Sequence, residues 1–270
     1  MKAQHLTLTL LGLLAATGCP SRPSGKLRVV ASTTVISSVV EAVGGDRVEV
    51  TTVAPAGLCP GHVDIPPSAI VAADQARLLL NQGWEPWFPK LEQAVNNPKL
   101  AKVTLKTPGN WMVPPVYRQG IVEVTELLAQ HDSANAKAYR ARANTASTRV
   151  DSAAAEVNRM FQGRPLPVVI AADKQVPFLR WLGFRVVAVY GRPEDFTAQE
   201  LSRLAQVGVD SSVGLVVDNL QSGPDTGQEL ARALGAAHVN LTNFPLEGDY
   251  VKSLVDNAAL LASASGQTAP

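Results

Sequence analysis

Residues 132–162, DSANAKAYRARANTASTRVDSAAAEVNRMFQ, contain neither proline nor glycine. Their apolar residues recur at alternating spacings of four and three, which is the period of one helix face. The pattern predicts one long helix, capped by Asp132 or Ser133 and ended by Gly163 and Pro165. At 1.5 Å per residue it would extend roughly 40 Å, which suits a connection between two lobes. A coiled-coil dimer is the alternative, although the apolar stripe is mainly alanine.

Upstream of this helix, short apolar runs alternate with helical patterns, which is typical of parallel βαβ units. Strands are predicted at 27–32, 48–53, 77–81 and 103–105, and helices at 35–44, 68–75 (capped by Ser68) and 88–95. Residues 107–117 form a proline-rich segment. Ligands of open parallel sheets bind beyond the carboxyl ends of the strands. The loops after the second, third and fourth strands therefore belong to one face.

Downstream, the same alternation returns, with strands predicted at 167–171, 186–189, 214–218 and 237–241 and helices at 197–207, 226–234 and 250–261. The predicted fold class is α/β: two lobes, each with a small parallel β-sheet flanked by helices, joined by one long helix. The boundaries are an N-terminal lobe at 27–130, a connecting helix at 131–163 and a C-terminal lobe at 164–270.

Residues 1–18 have the pattern of a secretory signal, with Lys2, an apolar run and small residues before Cys19. The run is short for a membrane span. Its end, ATGC, resembles a bacterial lipobox, which predicts lipidation of Cys19, a tether at 19–26 and an extracytoplasmic, lipid-anchored protein. The alternative is a plain signal cut elsewhere, which leaves Cys19 free to pair with Cys59.

The loop after the second strand, PAGLCPGHVDIPPS at 55–68, contains Cys59, His62 and Asp64. A thiolate and an imidazole at CxxH spacing can bind one metal ion, since a short turn brings sulfur and nitrogen to a common centre. The alternative is a Pro/Gly-rich surface turn with a small buried thiol and a solvated histidine.

Composition and motifs exclude several function classes. The chain has 24 basic and 23 acidic residues, a balance that argues against nucleic acid as a partner. No phosphate-binding glycine loop, GxSxG elbow or HExxH motif is present in the sequence. We therefore do not expect an enzyme or a catalytic cofactor.

The combination of a lipoprotein signal, two α/β lobes and a long connecting helix resembles the metal (zinc/manganese) substrate-binding lipoproteins of ABC importers. The stretches PAGLCPGHVDIPPSAI, LLLNQGWEPW, FLRWLGF and LTNFPLEGDYVKSLVDN carry the resemblance along nearly the whole chain. It implies a monomer whose two rigid lobes share a metal site at their interface. It also implies a membrane permease as partner and a lipid anchor that holds the receptor beside it.

The positions that match this family's metal ligands hold other residues. They are Gly61 with His62 beside it, Gly109 with Asn110, Ala172 with Asp173, and Asn243. One interpretation is a rebuilt site for a transported zinc-like or softer ion. Its ligands would be Cys59, His62, Asp64 and Asp173.

The other interpretation is a receptor without the usual metal site, whose cleft binds an organic molecule or a metal complex. Its residues would include Trp84, Trp87, Trp111, Tyr117, Glu85, Asn110, Asp218 and Asn243. The aromatic rings could equally pack the lobe interface, and the carboxylates of Glu85 and Asp218 could equally accept hydrogen bonds from loop amides.

Overall fold

The structure is a computed structural model that describes residues 25–267. The signal, Cys19 and all but the end of the tether lie outside the described residues. Within residues 25–267, no helix combines the length and apolar character that a membrane crossing needs.

The first sheet has four parallel strands in the order β2-β1-β3-β4. They are β1 (Leu27–Ala31), β2 (Val48–Thr52), β3 (Leu78–Asn81) and β4 (Ala101–Thr104). The central strands are apolar and buried because helices cover both faces of the sheet. The helices between the strands are α1 (Thr34–Gly44), α2 (Pro67–Gln75) and α3 (Phe88–Ala94).

The second sheet repeats this arrangement, with the parallel order β6-β5-β7-β8. Its strands are β5 (Val168–Ala172), β6 (Val186–Tyr190), β7 (Val213–Asn219) and β8 (Ala237–Leu241). Its helices are α6 (Val176–Trp181), α7 (Ala198–Asp210), α8 (Gln228–Leu234) and α9 (Tyr250–Gln267). The predicted fold class is confirmed. The strand order reverses between β1 and β3 in the first sheet and between β5 and β7 in the second, which creates a topological switch point in each.

Two helices connect the sheets: α4 (Pro114–His131) and α5 (Ala136–Phe161), separated by a 3-10 turn at Ser133–Asn135. Helix α5 has 26 residues, and at 1.5 Å per residue it is roughly 39 Å long. It packs against α1 and α4, which precede it in the sequence, and against α9, the last helix. The long connecting helix is therefore confirmed, whereas α4 was not predicted.

Two predicted helix caps are wrong. Asp132 and Ser133 do not cap α5, because a 3-10 turn precedes Ala136 and Asn135 occupies the cap position. The Asp132 carboxylate instead accepts a hydrogen bond of 2.6 Å from the Tyr139 hydroxyl. Ser68 does not cap α2, because that helix already begins at Pro67, whose fixed φ suits a first helical position.

One buried apolar cluster extends through both halves of the molecule, and smaller clusters fill the outer face of each sheet. An aromatic pair strengthens this continuity: Tyr117 of α4 stacks on Tyr250 of α9 with ring centroids 3.5 Å apart. The Tyr250 hydroxyl also donates to the Met112 carbonyl at 3.0 Å. The two sheets are thus joined through shared packing as well as through α5.

Candidate ligand cleft between the two sheets

A cavity of about 680 Å³ lies where the loops at the carboxyl ends of both sheets meet. It adjoins the switch points of the two sheets, which is where an open parallel sheet binds ligands. The predicted convergence of the loops after β2, β3 and β4 is confirmed. The polar and aromatic residues that line the cavity include Cys59, Gln82, Trp84, Asn110, Asp173, Lys174, Arg192, Asp195, Gln221, Asn243 and Phe244.

A network of amide groups joins the two lobes at this cavity. Asn110 Nδ2 donates to Asn243 Oδ1 and to the Lys174 carbonyl, both at 2.7 Å. Asn110 Oδ1 accepts from the Met112 amide at 2.7 Å, and Gln221 Oε1 accepts from the Asn243 amide at 2.9 Å. Two positions near which the resemblance implied metal ligands are therefore bonded directly to each other.

The structure does not bring the four predicted metal ligands together. Cys59 and Asp173 both line the cavity, and Asp173 is paired with Lys174 Nζ at 2.7 Å. His62 is exposed, with Nε2 3.2 Å from Arg192 Nη1, and Asp64 is also exposed. Across residues 25–267, no group of three or more His, Cys, Asp or Glu side chains could hold a metal ion.

Of the predicted aromatic residues, Trp84 presents an open ring to the cleft. It is 46% exposed, and its ring centroid lies 6.2 Å from that of Phe244 in the other lobe. Trp111 also borders the cavity but is only 2% exposed, and its Nε1 donates to the Thr107 carbonyl. Trp87 is absent from the lining and donates to the Pro60 carbonyl at 2.7 Å, which stabilises the loop that contains Cys59.

Tyr117 lies away from the cleft. It is 2% exposed, and its hydroxyl is 2.9 Å from the Ser38 hydroxyl. Burial raises the pKa of the Tyr117 phenol above its ordinary value, so it stays neutral. Its stacking on Tyr250 gives it a packing role.

Glu85 is a buried carboxylate that holds its own loop in shape. It is 4% exposed and accepts hydrogen bonds from the Ser32 hydroxyl and from the amides of Gln82 and Trp84. Its acceptor sites are therefore used by its own loop and by Ser32, which follows β1, and Glu85 is not part of the cavity lining.

Asp218 is fully buried at the end of β7. Its carboxylate accepts from the Gly227 amide and the Tyr190 hydroxyl, and His238 Nε2 lies 2.7 Å away. Burial and the neighbouring Asp218 carboxylate raise the pKa of Tyr190. This cluster positions α8 against the second sheet and does not reach the cavity.

Arg192 is the most informative cleft residue that the sequence analysis missed. It follows β6 in the segment GRPED, and a charged residue between a glycine and a proline at a strand end was the available signal. Within the part of the chain that the structure describes, no carboxylate forms a salt bridge with it. With Lys174, Asp173 and Asp195, it gives the cavity two basic and two acidic side chains.

The chain is similar to several proteins of metal transport. The family model of ZnuA, described as zinc-uptake complex component A, periplasmic, matches residues 29–264. A segment of 94 residues is 32% identical to the metal ABC transporter substrate-binding lipoprotein FimA of Streptococcus parasanguinis. That segment is 32% of this chain and covers 30% of the length of FimA.

The fold is shared with solved structures of low sequence identity. A zinc-bound deletion mutant of ZnuA superposes with a TM-score of 0.75 at 21% identity, over 89% of this chain and 98% of that one. FpvC of Pseudomonas aeruginosa in complex with Mn²⁺ gives a TM-score of 0.77 at 17% identity, over 90% and 100% of the two chains.

Proposed function

The chain belongs to the ZnuA family of periplasmic zinc-uptake components, and from that membership we propose that it is an extracytoplasmic substrate-binding protein of an ABC importer. Its cargo is a transition metal. The observation that carries the proposal is the cavity between the sheets. It lies at the switch points of two similarly ordered sheets, and nearly all of both sheets falls within residues 29–264, which the family model matches.

The relatives support the cellular setting. FimA and the MtsA proteins are named as substrate-binding lipoproteins of metal or iron ABC transporters, which supports a lipid anchor, a membrane permease as partner and a place outside the cytoplasm. The names describe transport proteins, in agreement with the prediction that the chain is not an enzyme.

Cys59 is the first candidate donor to the metal. Its thiol borders the cavity and has no disulfide partner among the described residues. Thiolate favours zinc or a softer ion over magnesium or calcium, and the Asp173 carboxylate can supply a second donor. His62 can join them only if it moves away from Arg192.

Metal titration of tag-free protein tests the function. We expect one zinc equivalent per chain, and an affinity for zinc that falls about tenfold or more in Cys59→Ser and in Asp173→Asn, since each removes one charged ligand. Asp64→Asn is the matched control, because Asp64 is exposed and lies outside the cavity lining.

Each result has a separate meaning. Unchanged metal affinity in Cys59→Ser would remove Cys59 from the site while the receptor function stands. Absence of binding by zinc, manganese, iron and nickel, with or without small chelators, would contradict the metal-receptor function itself.

A further inference from the structure

We propose that the cleft takes its metal as a complex with a small polycarboxylate rather than as a bare ion. This inference rests on the proposed function and specifies the form of the cargo. It follows from the number of metal donors in the cleft, the charges around it, and the size of the cavity.

The cleft supplies too few donors to surround an ion. Zinc in proteins is almost always held by four ligands, and manganese prefers six oxygen donors. Three cavity-lining side chains are of the usual strong donor types: Cys59, Asp173 and Asp195. Asp195 lies on the loop after β6, in the same lobe as Asp173. Even with all three, the described chain brings together no cluster that could hold the ion. The remaining coordination positions must be filled by ligands that arrive with the metal.

The charges around the cavity favour an anionic partner over a lone cation. Arg192 and Lys174 balance Asp173 and Asp195, so the cavity offers no excess negative charge to a divalent ion. Asp173 is already paired with Lys174. Arg192 has no carboxylate partner among residues 25–267, and its planar guanidinium matches a carboxylate with two parallel hydrogen bonds.

The amide side chains add hydrogen-bond capacity that a bare ion would not use. The Asn243 Nδ2 group makes no hydrogen bond within the described structure, and neither does the side chain of Gln82, although both residues line the cavity. Amide N–H groups are donors and suit the oxygens of a carboxylate. These N–H groups can donate to the organic part of a complex, whereas a metal ion offers them no acceptor.

The size of the cavity agrees with a complex. Its volume of about 680 Å³ lies in the range of roughly 300–1,000 Å³ that is usual for small-molecule sites. Trp84 and Phe244 form one apolar wall, one ring from each lobe, against which a carbon skeleton can pack. A single ion of a few ångströms would leave most of this space to water.

Equilibrium dialysis of tag-free protein against three probes tests the proposal: Ni²⁺ alone, citrate alone, and the equimolar Ni²⁺–citrate complex. We expect the complex to bind at least tenfold more tightly than either component. Arg192→Met should weaken binding of the complex by about 10- to 100-fold, the usual range for loss of hydrogen bonds to a charged group. Binding of Ni²⁺ alone should change little.

Arg185→Met is the matched control, since Arg185 precedes β6 and Arg192 follows it, at opposite ends of one strand. It should leave all three affinities unchanged, and thermal unfolding of both variants checks that each is folded. Binding of Ni²⁺ alone as tightly as the complex, with no effect of Arg192→Met, would overturn the inference and leave the metal-receptor function standing. Binding of citrate alone as tightly as the complex would overturn it in favour of an organic cargo. If no form of metal binds, the proposed function fails as well.

Discussion

The amide groups of Asn110 and Asn243 connect the lobes directly at this cleft. Their hydrogen bond of 2.7 Å lies where the family resemblance implied ligands from each lobe to a shared metal. A metal bridge would leave the lobe interface dependent on cargo. A direct hydrogen bond between the two amides, by contrast, contributes about 0.5–1.5 kcal/mol to stability whether or not cargo is bound. This lobe contact therefore does not require a bound metal, although both of its residues line the cavity.

A double-mutant cycle measures that contact. Asn110→Ala and Asn243→Ala should each lower the free energy of unfolding by about 1–2 kcal/mol, and the double variant by less than their sum, with a coupling of about 1 kcal/mol. Urea unfolding gives the three values. Asn158→Ala, at an exposed position of α5, is the control and should change stability by less than about 0.5 kcal/mol. Strict additivity would show that the two amides do not interact in solution.

Sequence located the cleft residues more reliably than it predicted their direction. Cys59, Asp173 and Asn243 follow strands, and strand ends of parallel sheets gather at one edge, so their presence in the cleft was predictable. Glu85 and Asp218 occupy equivalent places yet turn inward. Their own loops contain backbone N–H groups that need acceptors, and that need depends on the three-dimensional course of the loop.

Helix α4 shows why a helix that begins with prolines is hard to predict from sequence. Pro114 and Pro115 made the segment resemble a loop, although proline is well tolerated in the first turn of a helix. Gly120 also lies within this helix. A Cβ there would lie 2.4 Å from the Trp111 ring, so this glycine permits close packing and does not interrupt the helix. Helix α5 contains neither proline nor glycine, so no such conflict arose, and the predicted long helix is confirmed.

Helix α7 has an N-terminal cap whose contribution to stability can be measured. The Thr197 hydroxyl accepts a hydrogen bond of 3.2 Å from the Glu200 amide, the pattern of an N-terminal cap. Thr197→Ala should therefore cost about 1 kcal/mol of unfolding free energy, whereas Thr197→Ser, which keeps the hydroxyl, should cost much less. Chemical denaturation compares the two. Equal losses in both variants would assign the effect to the methyl group of threonine and not to the cap.

For the whole molecule, the repeated alternation of strands and helices explains why a two-lobed fold could be predicted without any single strong motif. Alternating strands and helices on both sides of one long helix leave few arrangements other than two parallel sheets. The alternation does not predict the shared core. Contacts such as Tyr117 on Tyr250 join α4 to the last helix, and residues so distant in sequence pair only once the chain is folded.

That shared core leads to the last prediction, that the lobes move little on binding cargo. Three connections oppose a hinge: the continuous helix α5, the stacked pair Tyr117–Tyr250 and the hydrogen bond between the side-chain amides of Asn110 and Asn243. Small-angle scattering should give the same radius of gyration, near the roughly 18 Å expected for a compact chain of this size, with and without bound metal. A contraction of about 1 Å or more on binding would contradict this rigidity.

A variant of α5 shows that the measurement can detect loosened lobes. Ala155→Pro removes a hydrogen bond in the helix interior and introduces a steric clash, at a cost of about 3 kcal/mol, whereas Ala155→Ser keeps the helix intact. We expect the proline variant to have a larger radius of gyration that metal then reduces, and the serine variant to behave as the parent protein. A proline variant as rigid as the parent would mean that the core contacts alone hold the lobes, and that α5 connects them without stiffening them.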